Sequence, residues 1–312
     1  MRRIRVAILA GGWSSEREVS LKSGAAVYDA LDRKKYDVTM YDPRDNLEAL
    51  FQKRDKIDIA FILLHGQYGE DGRIQGLLDI LGVPFAGSGV LACAMALNKK
   101  ISKAQYRSVG ITVAKDIIIE KDNAYLVSEI LQNIGSKVIV KPVSEGSSMG
   151  ISICDGEEEI MKGISNAFNF DREVMVEEYI DGKEITCGIL GFNKLETLPL
   201  IEIVPNAKYD FFDYEAKYTN GATDEICPAK VSEEIAEKAR EYARTAHLAL
   251  GCSLWSRTDM IVNGDTINVL ETNTIPGMTE NSLFPLAARK AGMSLSRLAD
   301  RMIELSLENR QK

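Results

Sequence analysis

Histidine is scarce in this chain of 312 residues: there are two, His65 and His247. A zinc centre with mixed His and Cys ligands is therefore not expected. A metal, if used, would be a hard cation held by carboxylates. Cysteine is present at an odd count of five (Cys93, Cys154, Cys187, Cys227 and Cys252), with no CxxC pair. That pattern reads as reduced thiols of a cytoplasmic protein and excludes a disulfide frame. Long apolar runs are missing too. The longest, 59–64 and 90–97, are far short of the ~20 residues that span a bilayer. No basic excess exists, since 38 Lys and Arg face 46 Asp and Glu for a net charge of −8. Non-specific nucleic-acid binding, which needs clustered cations, is not expected. The opening apolar stretch ends after about five residues and runs into Ser14-Ser-Glu-Arg-Glu18, so it reads as a buried strand and not as a secretion signal. Neither an internal repeat nor a low-complexity segment is visible.

What is present is the balance of a globular chain, 45% hydrophobic and 27% charged. Its length suits two or three lobes of roughly 100–150 residues each. Apolar runs at 4–10, 36–41 and 57–64 alternate with helical periodicity after Ser15 and around 73–81 and 89–97. This β-α-β-α order predicts a doubly wound parallel lobe over 1–97, with ligands at the carboxyl ends of its strands. A second segment, 98–182, reads as a helix (99–108), strands at 116–120, 137–141, 151–154 and 173–178, and a helix at 157–168. A third, 183–312, begins with alternating strand residues (Ile185, Cys187, Ile189; Leu198, Leu200, Ile203). The polar and aromatic stretch 205–226 has no clean period, and loops of that length are usually functional. A helix at 232–250, strands at 254–262 and 266–270 around the turn Asn263-Gly264, and two closing helices follow. The class is α/β combined with α+β.

Three segments carry chemistry. Lys141-Pro-Val-Ser-Glu-Gly-Ser-Ser-Met-Gly150 is a strand ending in lysine that opens into a Gly- and Ser-rich loop. Its backbone N–H groups and hydroxyls can face phosphate oxygens while the lysine supplies a point charge; the alternative is a surface turn. Arg257-Thr-Asp259 and Glu271-Thr-Asn273 end two strands of one hairpin. Asp259 and Glu271 are expected side by side, with Asn273 on the same face because i and i+2 point alike in a strand. Such oxygen ligands suit Mg²⁺ on substrate phosphates; the alternative is a solvated acidic hairpin. Glu177-Glu-Tyr-Ile-Asp-Gly-Lys-Glu184 follows a strand and could act as a hinge that bonds an adenine edge, or could be an exposed acidic turn.

Together these segments resemble the ATP-grasp superfamily, in which lobes close on ATP. Five motifs in order are similar to the D-alanine–D-alanine ligase family: Gly11-Gly-Trp-Ser-Ser-Glu-Arg-Glu-Val-Ser20, His65-Gly-Gln-Tyr-Gly-Glu-Asp-Gly72, Lys141–Gly150, Asp213-Tyr-Glu-Ala-Lys-Tyr218 and Glu271-Thr-Asn-Thr-Ile-Pro-Gly-Met-Thr279. The resemblance implies a cytoplasmic three-lobe ATP-grasp enzyme, commonly a homodimer. Such an enzyme joins two D-alanines through an acyl phosphate for peptidoglycan synthesis and splits ATP to ADP and phosphate.

By the same resemblance, Lys99, Lys141 and Ser147 match positions on the ATP phosphates. Glu177 and Glu184 match acids near adenine and ribose, with Glu178 and Ile180 at backbone contacts. Asp259, Glu271 and Asn273 match ligands of two Mg²⁺ ions, with Mn²⁺ as a substitute. Glu16 matches the acid that pairs with the first D-alanine's ammonium, and His65 lines that subsite. Arg257 and the N–H of Gly277 match the oxyanion donors. Ser282 and Leu283 match positions holding the second substrate's carboxylate. Lys217 and Tyr218 lie on the closing loop beside substrate and nucleotide, and Tyr218, Ser147 and Glu16 are expected to form a hydrogen-bonded chain. The tyrosine in Tyr-Glu-Ala-Lys-Tyr favours a dipeptide over a depsipeptide product. Rival readings are a ligase taking D-serine or D-lactate second and a non-catalytic nucleotide binder. Three departures stand out: Leu254 where a small residue, often glycine, is common, Asn98 where an acid often precedes the lysine, and Trp13 in place of a smaller residue.

Overall fold

The computed structural model describes residues 2–146, 149–205 and 223–310. Its first sheet is parallel, in the order β2-β1-β3-β4: β1 (Ile4–Leu9), β2 (Tyr36–Tyr41), β3 (Ile59–Ile62) and β4 (Phe85–Ala86). Helices α1 (Arg17–Ala30), α2 (Pro43–Lys53) and α3 (Arg73–Ile80) connect these strands. Burial on both faces explains the unbroken apolar runs; Ile8, Leu9, Ile59 and Phe61 are fully buried. The sequence reading does not include α2. Its signal is the pair Asp42-Pro43, in which Asp42 caps the helix by accepting from the Arg44 N–H at 3.0 Å and proline takes the first turn.

Helices α4 (Val90–Leu97) and α5 (Lys99–Ser108) lead to the second sheet. Asn98 separates them, and its side-chain oxygen accepts from the Ile101 N–H at 3.0 Å. An amide caps a helix as well as an acid does, which accounts for the departure at this position. The second sheet is antiparallel throughout, in the order β5-β8-β6-β7: β5 (Asp116–Glu120), β6 (Lys137–Pro142), β7 (Ser152–Asp155) and β8 (Glu173–Glu178). Helices α6 (Val127–Asn133) and α7 (Glu157–Ala167) cover one face, where Val138, Val140, Val174 and Val176 meet Ile160 and Ile164. Ile139, Lys141, Met175 and Glu177 therefore share the opposite face.

The third sheet is antiparallel as well: β9 (Lys183–Gly191), β10 (Glu196–Thr197), β11 (Ile201–Pro205), β12 (Thr223–Ile226), β13 (Leu254–Asn263) and β14 (Thr266–Asn273). The order is β12-β11-β9-β13-β14, with β10 on β9. The end of the aperiodic stretch 205–226 is thus a strand; 206–222 lies outside the described residues. Helix α8 (Glu233–Ala249) starts at Ser232, whose hydroxyl accepts from the Ile235 N–H at 3.3 Å, and lays Ala236, Ala239, Ala243 and Ala246 under this sheet.

The last helices, α9 (Leu283–Lys290) and α10 (Leu295–Arg310), return to the first sheet. Leu298, Ala299, Met302 and Ile303 join its core, and Asp300 accepts from Lys35 Nζ at 2.8 Å and from the Tyr36 hydroxyl. Trp255 ties this core together between Phe61 and Phe284. Beside it, Leu254 is fully buried at a φ of +66°. A left-handed backbone costs a side-chain-bearing residue roughly 1–2 kcal/mol, so glycine's frequency at this place has a steric reason. Leucine offsets that cost by filling the core. All five cysteines are free thiols. Among the described residues, no helix is long and apolar enough to cross a membrane.

Candidate active site

The β13–β14 hairpin is built on Asn263-Gly264 and pairs regularly as far as Met260 with Val269. Continued without interruption, that register would place Leu270 opposite Asp259 and turn Glu271 to the far face. A bulge intervenes between Asp259 and Met260, and Asp259 pairs with Glu271 and Arg257 with Asn273. A bulge re-aims side chains in this way. Arg257, Asp259, Glu271 and Asn273 thereby occupy four adjacent positions on one face. The Arg257 guanidinium grips Asp259 with both ends, Nε to Oδ1 at 2.9 Å and the terminal nitrogen to Oδ2 at 2.7 Å. Thr186 on β9 also donates to Asp259, at 2.5 Å. The Asn273 side-chain oxygen accepts from the Ile275 N–H at 3.0 Å.

This face closes one end of a cleft with a volume of about 410 Å³ between the second and third sheets. Lys99, Lys141, Glu177, Glu178, Ile180, Glu184, Asp259 and Glu271 all line it, and Ile139, Ile151 and Ile153 give it an apolar wall. Apolar walls with a few convergent charges are what a nucleotide base and its phosphates require. Lys99 Nζ donates to the Glu145 carbonyl at 2.5 Å and lies 3.9 Å from Glu271. Lys141 Nζ donates to Glu177 at 2.7 Å. Glu177 also binds Lys103, a fully buried lysine on α5. Burial alone would raise the Glu177 pKa, but the charges of Lys141 and Lys103 outweigh it and hold the carboxyl down at about 2. Ser147 lies outside the described residues, as do Lys217 and Tyr218, so the expected chain from Tyr218 through Ser147 to Glu16 does too.

Glu16 precedes the first turn of α1 and is buried. Its carboxylate sits where two loops meet: a Cβ on Gly66 would fall 2.6 Å from Glu16 Oε2, and one on Gly146 3.2 Å away. Gly66 also has a φ of +67°, so glycine is needed there on both counts. Gln67 from the same loop donates to Glu145 at 2.5 Å, joining the first lobe to the Lys141–Gly150 loop. His65 is buried, which pushes its pKa down and keeps the imidazole neutral. Its Nδ1 lies 3.0 Å from the Ile275 carbonyl and must donate to it; Nε2, 3.2 Å from the Ser23 hydroxyl, then accepts. Ser23 Oγ in turn accepts from the Met278 N–H at 3.2 Å. His65 thus fixes the 275–278 segment next to Gly277. Ser282 Oγ accepts from the Thr279 N–H at 3.1 Å. The Leu283 side chain is buried, leaving its backbone N–H, at the start of α9, as the group that can meet a carboxylate.

Three participants were not anticipated from the sequence. Thr186 and Lys103 are two of them; the signal for Lys103 was the spacing Lys99, Lys103, Arg107, which stacks cations on one helix face and demands acidic partners. Glu70 is the third. It is buried, accepts from the Gly66 N–H at 2.7 Å, and has its pKa pushed up to about 8 by burial and by the nearby charge of Glu16. The native state therefore keeps a proton that the unfolded chain gives up near 4.5, so stability falls as pH rises between those values. Glu70→Gln, a permanently neutral replacement, is expected to flatten this slope. Thermal melts should show the variant gaining on the parent between about pH 5 and pH 8; parallel curves would show that Glu70 is ionised when folded.

Comparison with known proteins agrees with this arrangement. Residues 106–304 match the family model described as D-ala D-ala ligase C-terminus, and residues 5–52 and 43–88 match the D-ala D-ala ligase N-terminus. The D-alanine--D-alanine ligase of Syntrophobacter fumaroxidans is 52% identical over 98% of this chain and 99% of its own. The crystal structure of D-alanine--D-alanine ligase from Bacillus anthracis complexed with ATP superposes with a TM-score of 0.87 at 35% identity, over 99% of each chain. The VanG D-Ala:D-Ser ligase from Enterococcus faecalis gives a TM-score of 0.84 at 31% identity, over 98% of this chain and 100% of its own.

Proposed function

Because the chain belongs to the D-alanine–D-alanine ligase family, we propose that its cleft binds ATP and its first lobe a D-alanine, and that it joins two D-alanines into the dipeptide used in peptidoglycan synthesis. The observation that carries this reading is the bulged hairpin. It sets Arg257, Asp259, Glu271 and Asn273 on one face, at the end of a cleft that also holds Lys99 and Lys141.

Glu16 pairs with the ammonium of the first D-alanine and aims its carboxylate at the nucleotide. Lys99 and Lys141 hold the phosphates in line. A carboxylate oxygen attacks the γ-phosphorus, the bond to the bridging oxygen of ADP breaks, and D-alanyl phosphate forms. Positioning and charge neutralisation supply most of the catalysis in such a transfer. The amine of the second D-alanine, its carboxylate held at Ser282 and Leu283, then attacks the acyl carbon. Arg257 and the Gly277 N–H receive the negative oxygen until phosphate leaves, and the amine's extra proton is lost.

Asp259, Glu271 and Asn273 fit hard divalent cations. Among the described residues, no group of three or more His, Cys, Asp and Glu forms a metal cage. Two carboxylates and an amide instead leave coordination positions for phosphate oxygens and water, as Mg²⁺ prefers. Two Mg²⁺ ions, or Mn²⁺ in their place, would offset the charge of the transferring phosphoryl group. In this reading segments 1–97, 98–182 and 183–312 act as lobes closing on the nucleotide, in a cytoplasmic homodimer.

Purified protein given ATP, Mg²⁺ and D-alanine is expected to release phosphate and form D-alanyl-D-alanine in equal amounts. Turnover with another acid and amine but not with D-alanine overturns the reading. Preference for D-serine or D-lactate as acceptor in competition would shift it to the related ligases.

A further inference from the structure

We propose that Lys103 is a positioning residue for the nucleotide, dividing the charge of Glu177 so that Lys141 keeps a cation for the phosphates. The proposal rests on the reading of the cleft as an ATP site.

Sheet register creates the need. Asp116 on β5 lies directly opposite Glu177 on β8, and like charges in that relation repel. Ile139 on β6 is the next residue in the same row, and Lys141 stands two residues further along β6, opposite Met175. Left with one partner, a buried Glu177 would give its whole charge to Lys141. A neutralised Lys141 would attract phosphate poorly.

Lys103 reaches this row from α5. Its side chain is 1% exposed, and its Nζ lies 2.8 Å from Asp116 Oδ1 and in contact with Glu177 Oε2, the oxygen that Lys141 does not use. Arg107, one turn on, pairs with the same Asp116 oxygen. The ladder Arg107–Asp116–Lys103–Glu177–Lys141 thus holds three cations against two carboxylates. Lys141 is the cation of this ladder that lines the cleft. Inside a low-dielectric interior such an arrangement acts strongly. The cost of burying Lys103 is large unless a carboxylate stays with it, and Glu177 alone can fill that need.

The test separates a charge-setting role from a structural one. Asp116→Asn removes the competing acid and should leave ADP affinity equal or tighter, because Lys103 then serves Glu177 alone. Adding Lys103→Met to Asp116→Asn creates no orphaned Asp116 charge. It should weaken ADP binding by at least ~10-fold while adenosine, which lacks phosphates, changes by less than about 2-fold. Lys103→Arg should hold most of the ADP affinity. Equal ADP affinity in Asp116→Asn and the double variant overturns the proposal, as does a parallel loss for ADP and adenosine. A tenfold loss in Asp116→Asn alone also overturns it, and this outcome decides the matter if the double variant does not fold. Failure of the unmodified protein to bind ADP would instead refute the nucleotide reading itself.

Discussion

Replacing Arg257 by alanine is expected to slow turnover by at least ~10²-fold, the usual loss when one oxyanion donor is removed, with ADP affinity nearly unchanged. The guanidinium sits on the face that closes the cleft and is held in place by two bonds to Asp259. Preorganised donors of this kind act where charge develops, so their loss is felt in the transition state more than in binding. In the proposed reading the nucleotide is held elsewhere, by Lys99 and Lys141, which line the cleft. Thr186 still donates to Asp259 at 2.5 Å in the variant, which keeps that carboxylate from collapsing. Rates of phosphate release, set beside ADP titrations, check the split. Unchanged turnover would remove Arg257 from the site, and an equal loss in ADP affinity would show a structural role.

Asp259→Asn is expected to be as severe, lowering turnover by roughly 10²–10³-fold, equivalent to several kcal/mol of charge stabilisation. The Mg²⁺ concentration needed for half-maximal rate should rise. Asparagine keeps the shape but gives up one of the two carboxylates that face each other across the bulge. It also removes the charge from the pairing with Arg257. A metal titration of the rate distinguishes these effects: a variant slowed without any shift in Mg²⁺ dependence would show that Asp259 serves only to hold Arg257.

The sequence announced most of the architecture because the architecture rests on local signals. Continuous apolar runs marked the parallel strands, Asn263-Gly264 marked the hairpin, and Ser232 marked the start of α8. What it did not announce depends on register or on partners distant in the chain. Asp259 and Glu271 are neighbours as expected, yet the turn alone would have set them on opposite faces. One extra residue in β14 corrects this, and no local pattern distinguishes a bulge residue such as Leu270 from an ordinary strand residue. The spacing of Lys99, Lys103 and Arg107 asks for acidic partners, but only β5 and β8 decide which carboxylates reach Lys103. Glu70 lies within a motif that pointed to the site, but its protonation follows from burial beside Glu16, which only the folded loops create.

Helix α10 bears on how the protein comes to be made. The core of the first sheet takes Leu298, Ala299, Met302 and Ile303 from a helix made roughly 200 residues after its fourth strand. At translation rates of roughly 5–20 residues per second, about 10–40 s separate synthesis of the fourth strand from that of its cover. During that interval the nascent first lobe lacks this cover, and transiently exposed apolar surface of that kind favours aggregation.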